Sequence, residues 1–267
     1  MKDFFKTIIN NIPPLPESVI KIESYAKDPN VSYKQVSQML GKDPILTSEI
    51  LKAANFPLYG FSKKITTLES AISLFGLGTI RGFVLAVYVR KNFDFSLEPY
   101  GITPAQFSLC ASKRHTFAIS WYFDSMPRWF DILSPATFLS NLGQVLISQY
   151  LIHVHKSTEF NSMIQEESDY KKIEKTFCGV NSVELTAEIF EHWSMEKQLV
   201  NALRYIENPM MSPSIKERTY AQILHCIHTI IPDNGIISDE SIKEAGKLVE
   251  LYDLDREKFT KAIEKIA

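Results

Sequence analysis

The chain has 267 residues, 45% of them hydrophobic and 22% charged, with 29 Lys and Arg against 31 Asp and Glu for a net charge of -2. That length and apolar fraction suffice for one large domain or two modest ones with a sizeable core. The slightly acidic balance lacks the basic surplus of a nucleic-acid or anionic-membrane binder, so neither partner is expected.

The first ten residues read as a short amphipathic helix, because Asp3 and Lys6 interrupt the apolar run and no small-residue cleavage site follows, so a signal peptide is not expected. The three cysteines, Cys110, Cys178 and Cys226, lie singly within apolar helical patterns. That usage fits core thiols in a reducing compartment, and a cytoplasmic location is expected.

Glycine is scarce and apolar residues recur at three and four positions, which predicts an all-helical protein. Val19, Ile22, Tyr25 and Ala26 form one stripe, stopped at Asp28-Pro29-Asn30. Ser32 and Gln35 have capping-box spacing ahead of Val36, Met39 and Leu40. Asp43-Pro44 opens the next helix, since the carboxylate accepts from free first-turn amides and proline needs no amide partner there. Residues 55–64 read as a loop, and Thr66 with Glu69 as a second capping box. Gly76 and Gly78 then break the pattern before a helix from Thr79 to about Asn92 that is apolar nearly all round and therefore central.

Periodicity lapses around Asp94 to Pro104, the expected boundary between an N-terminal unit at 1–95 and a C-terminal unit at 96–267. Thr103-Pro104 and Ser134-Pro135 predict helix starts, for helices running to about Phe123 and Tyr150. Further helices are expected at 169–177, 182–192, 195–207, 214–231, 239–251 and 255–266. The longest apolar stretches are short or interrupted by polar residues, so no membrane span is expected.

The segment from about residue 12 to 90 resembles the HDOD family of bacterial regulatory modules related to HD-type phosphohydrolases. The likeness rests on Ile12-Pro13-Pro14-Leu15-Pro16, on Lys42-Asp43-Pro44-Ile45-Leu46-Thr47, on Leu51-Lys52-Ala53-Ala54-Asn55, and on Tyr59-Gly60, Ile65, Ala71-Ile72, Gly76 and Arg81. A weaker trace of the HD-like bundle runs through Phe138 to Leu146, Val183-Glu184-Leu185, Trp193, Ala202 to Tyr205 and Pro209. The resemblance implies an irregular multi-helix array in which Asp43, Pro44, Asn55, Tyr59, Gly60 and Arg81 are hallmark or binding positions.

Where active relatives carry the adjacent His-Asp pair, this chain reads Ser140-Asn141. The resemblance places the other ligand positions on Ser182, Ile206, Glu207 and His228, with His115 the histidine near the first-ligand position. A hydrolytic metal needs neutral imidazole and ionised carboxylate donors, which serine, amide and hydrocarbon side chains do not supply. The expectation is a non-catalytic signal-transduction module without metal or cofactor, acting on other signalling proteins or a small-molecule ligand in control of gene expression, motility or stress response. The alternative is a divergent metal-dependent phosphohydrolase.

The remaining polar features read mainly as structure. His225 and His228, three apart, can share a helix face, but no carboxylate set accompanies them. Glu166, Glu167, Asp169, Lys171 and Lys172 read as a solvated charge run. Among the aromatics, Trp129 and Phe130 are expected to be exposed. Arg81, opening an apolar helix, needs carbonyl or carboxylate partners such as Asp43, or else forms an anion site.

Overall fold

The computed structural model describes residues 2–28, 30–93, 96–166 and 169–266, and every regular element among them is helical. Pro29, the start of the expected boundary at Asp94, and Glu167 of the charge run lie outside the described residues.

Local chemistry sets the first helices: α1 (Lys2–Asn10), α2 (Glu17–Lys27), α3 (Tyr33–Leu40) and α4 (Pro44–Ala54). The Ser32–Gln35 capping box closes both ways, and Asp43 Oδ1 accepts from the amides of Ile45 and Leu46 at 2.9 Å each. Thr67, one residue after the expected Thr66, caps α5 (Leu68–Asn92) by accepting from the Ser70 amide. This helix is longer than the pattern suggested, because it resumes after Gly76, whose φ of 75° marks a non-helical kink only glycine adopts without strain. By length and composition α5 is apolar enough to cross a membrane, yet 72% of its most apolar window is buried in the protein.

α5 packs most extensively on α7 (Phe130–Leu139), which also contacts α6 (Pro104–Ala118). α6 continues into a π-turn at Ile119–Phe123. Ser134-Pro135 does not open α7; Pro135 lies inside it. Lacking an N–H, Pro135 leaves the carbonyl of Asp131 without its helical donor. Arg81 Nη1 supplies one at 2.7 Å. Phe130, expected at the surface, is buried, and Trp129 is half-buried against Tyr122 and Tyr220.

The predicted continuous helix to Tyr150 is divided: α7 ends at Leu139 and α8 (Gly143–His153) begins after a break. Thr186 of α11 (Ser182–His192) holds that break, donating to the Ser140 carbonyl and accepting from the Gly143 amide, each at 2.9 Å. A Cβ on Gly143 would stand 2.1 Å from the Ser182 carbonyl oxygen, so only glycine permits this approach of α8 and α11. The C-terminal half is completed by α9 (Ser157–Glu166), α10 (Tyr170–Cys178), α12 (Lys197–Arg204), α13 (Ile215–Ile230), α14 (Asp239–Leu251) and α15 (Arg256–Glu264). One cluster of buried side chains runs from Phe5 to Ala262 and includes Cys110, Cys178 and Cys226.

Candidate functional site

The break between α7 and α8 turns Ser140 and Asn141 into the C-terminal half, where both are buried. There they meet residues from α6, α10 and the end of α13. Ser140 Oγ lies 2.9 Å from His228 Nε2, and Asn141 Nδ2 donates to Asp233 Oδ1 at 2.7 Å. The same carboxylate oxygen accepts from Arg114 Nη2 at 2.7 Å, while Arg114 Nε donates to the Ile231 carbonyl at 2.9 Å. Lys171 Nζ stands 3.8 Å from Asp233 Oδ2 and 3.6 Å from Glu207 Oε1.

Electrostatics follow from this packing. Burial alone would raise the Asp233 pKa, but Lys171 and Arg114 hold it well below the usual carboxylate range, so the group is ionised. Burial, reinforced by the same two cations, keeps His228 neutral. Among the described residues, His228 Nδ1 and Asn141 Oδ1 are buried without a hydrogen-bond partner.

Behind this centre, Glu174 of α10 is fully buried. Its carboxyl accepts from the Tyr100 hydroxyl and the Ser182 amide, each at 2.7 Å. Burial, with the nearby Asp233 charge, pushes its pKa up to about 7.

Of the family-derived ligand positions, Ser140, Asn141 and His228 come together and Glu207 joins them through Lys171. Ser182 is tied in through Glu174, and Ile206 is buried hydrocarbon. His115 is elsewhere: Nδ1 lies 2.7 Å from the Tyr59 hydroxyl, Nε2 2.9 Å from Ser134 Oγ, and the ring stacks on Phe138 at 4.1 Å. Burial lowers its pKa to about 3. Its neighbour Arg114 is the residue of α6 that reaches the centre.

His225 and His228 do not act as a pair, since His225 Nδ1 is bound to the Tyr252 hydroxyl at 2.9 Å. Lys171, expected in a solvated run, has a side chain only 16% exposed and lines two clefts. One, of about 700 Å³, lies among α9, α10, α13 and α14; the other, of about 430 Å³, opens between α10 and Glu207.

The N-terminal hallmark residues form a separate set. Asn55 Nδ2 donates to the carbonyls of Leu51 and Ile65 at 2.7 and 2.8 Å, and its Oδ1 accepts from the Ile65 amide at 2.8 Å, closing the loop between α4 and α5. Gly60, at φ 70°, ends the 3-10 turn Pro57–Tyr59. Arg81 pairs with Glu23 of α2 and Glu196 before α12, not with Asp43, whose carboxylate is used as the cap of α4.

The centre does not suit a divalent metal. The Asp233 carboxylate already faces a guanidinium, an ammonium and an amide N–H, and an added cation would meet Arg114 and Lys171 within the same shell. Among the described residues no group of three or more His, Cys, Asp or Glu side chains is arranged to hold a metal.

The HDOD domain family model matches residues 12–209. A Treponema pallidum (strain Nichols) protein of uncharacterised function is 22% identical over an alignment of 214 positions that covers 77% of this chain and 39% of that protein. The chain thus spans well under half the length of that relative. Among solved structures, a Shewanella amazonensis SB2B protein named as a candidate phosphohydrolase superposes with a TM-score of 0.71 at 18% identity, over 99% of this chain and 98% of that one. A candidate signal transduction protein from Marinobacter aquaeolei VT8 gives 0.68 at 20% identity, over 96% of this chain and 58% of that one. At these identities the two structures share the fold.

Proposed function

Because the chain belongs to the HDOD family, we propose that it is a non-catalytic regulatory module of bacterial signal transduction, in which the HD-like half holds its former metal centre closed with its own side chains. The observation that carries this reading is Asp233, whose buried charge is matched by Arg114 at 2.7 Å and by Lys171. Side-chain cations there take over the charge balance that a metal supplies in a hydrolytic centre, and neither can lower the pKa of a bound water as a metal does.

The module acts by association, in the cytoplasm, with other signalling proteins or a small ligand, and engages neither nucleic acid nor membrane. Control of gene expression, motility or stress response is the setting that the family suggests.

The test is hydrolysis of p-nitrophenyl phosphate and bis-p-nitrophenyl phosphate by protein supplied in turn with Mg²⁺, Mn²⁺ and Zn²⁺. No turnover above buffer is expected. Metal-dependent turnover that disappears in Asp233→Ala would establish the alternative, a divergent phosphohydrolase.

A further inference from the structure

Another cavity, of about 620 Å³, lies away from Lys171 and Asp233, where the Pro57–Tyr59 turn and the start of α5 meet the π-turn after α6 and the end of α15. Its size falls within the range of small-ligand pockets, in which mostly apolar walls carry a few convergent polar groups.

The walls are aromatic. Tyr59 and Phe75 meet edge to face with centroids 4.9 Å apart, Phe61 meets Phe75 the same way at 5.4 Å, and Phe61 lies 6.1 Å from Tyr59. Phe75 is buried behind this cluster, so Phe61 is the ring that offers a face to the cavity, where a further ring would pair offset or edge to face. Phe61 remains 43% exposed, and Leu74 beside it 42%. The Tyr59 hydroxyl is committed to His115, so the rings and not a phenol define this wall.

The opposite side is made by the π-turn Ile119–Phe123, a wider turn of a kind frequent at functional sites. It brings Phe123 and then Asp124 to the cavity, where Lys265 also stands. Both charged residues are exposed, and neither makes an ion pair among the described residues. Two unpaired charges of opposite sign beside an aromatic wall complement a zwitterion with a ring.

We propose that this cavity binds a free aromatic amino acid, its ring against the exposed Phe61 and Leu74, its ammonium group toward Asp124 and its carboxylate toward Lys265. The site goes beyond the regulatory reading and does not depend on the centre at Asp233, so the hydrolysis assay and the binding assay fail independently.

Isothermal titration of the full chain with L-tryptophan tests it, with indole as the ring without charges and L-alanine as the charges without a ring. One saturable site is expected, with indole and L-alanine each at least tenfold weaker. Phe61→Ala and Lys265→Ala alter exposed side chains and are expected to leave the melting temperature in place while weakening L-tryptophan at least tenfold. Met211→Ala, at a separate exposed apolar residue, is expected to leave binding unchanged. Absence of saturable binding, equal affinity for indole, or unchanged affinity in both cavity variants would each overturn the proposal.

Discussion

Arg114 Nη2 lies 2.7 Å from Asp233 Oδ1, with both side chains almost wholly buried. The pair joins α6 to the segment after α13, and its energetics are asymmetric. Two charges taken from water gain little net stability when paired, whereas removing one leaves the other buried and uncompensated.

Arg114→Ala should therefore destabilise the protein, by about 3 kcal/mol and not more, because Lys171 at 3.8 Å and the Asn141 amide still face Asp233. Arg114→Met with Asp233→Asn should recover part of that loss, because neither charge is then stranded. Urea unfolding of the three proteins measures this; an Arg114→Ala protein as stable as wild type would show that the pair is not formed.

Glu174 gives the protein a pH dependence of definite sign. Its folded pKa of about 7 is raised above the unfolded value near 4.5, so the folded state holds the proton more tightly and stability falls as pH rises between these values. The loss is on the order of 3 kcal/mol, from about 1.4 kcal/mol per pKa unit. Glu174→Gln should flatten that slope between pH 5 and 7.5 in thermal melts. His115 acts in the opposite direction. Held neutral at about 3, it loses stability as pH falls below 6.5, and so contributes to acid unfolding.

Gly143→Ala should break the joint between α8 and α11. The new methyl would stand 2.1 Å from the Ser182 carbonyl oxygen, which is backbone and has no rotamer to yield. Overpacking of this kind costs about 1–3 kcal/mol or more. A drop in melting temperature is expected; an unchanged one would mean that the helices separate freely there.

Asn55→Ala should loosen the loop before α5, since three hydrogen bonds at 2.7–2.8 Å end on that one side chain. Leaving the Ile65 amide without its acceptor costs on the order of 1–3 kcal/mol. Faster amide exchange at Ile65 is the direct readout, and an unaltered rate would contradict the assignment.

Caps and periodicity made most of the helices legible, as with Ser32 and Gln35, Asp43 and Pro44, or Thr103 and Pro104, because these signals act within one turn. Pro135 misled: its local preference for a first turn yields to Arg81, which satisfies the carbonyl that proline strands. The substituted pair Ser140-Asn141 drew attention to the segment between α7 and α8, but the residues that pack around it, Arg114, Lys171 and Asp233, were not found. Lys171 reads as surface beside Lys172, and only the packing of α10 near α13 reveals its role. Arg114 carried no signal of burial, because it sits in the polar stretch Ser112-Lys113-Arg114-His115-Thr116, where a charged residue reads as helix surface. Asp233 lies five residues after His228, just beyond the end of α13, where helical spacing carries no information.

The most direct measurement of the central claim is calorimetric titration of chelator-treated protein with Mn²⁺, alongside Arg114→Ala. A centre balanced by its own arginine and lysine should show no stoichiometric Mn²⁺ binding in the wild-type chain. Uptake of one or more Mn²⁺ per chain at micromolar affinity, abolished by Asp233→Ala, would contradict it.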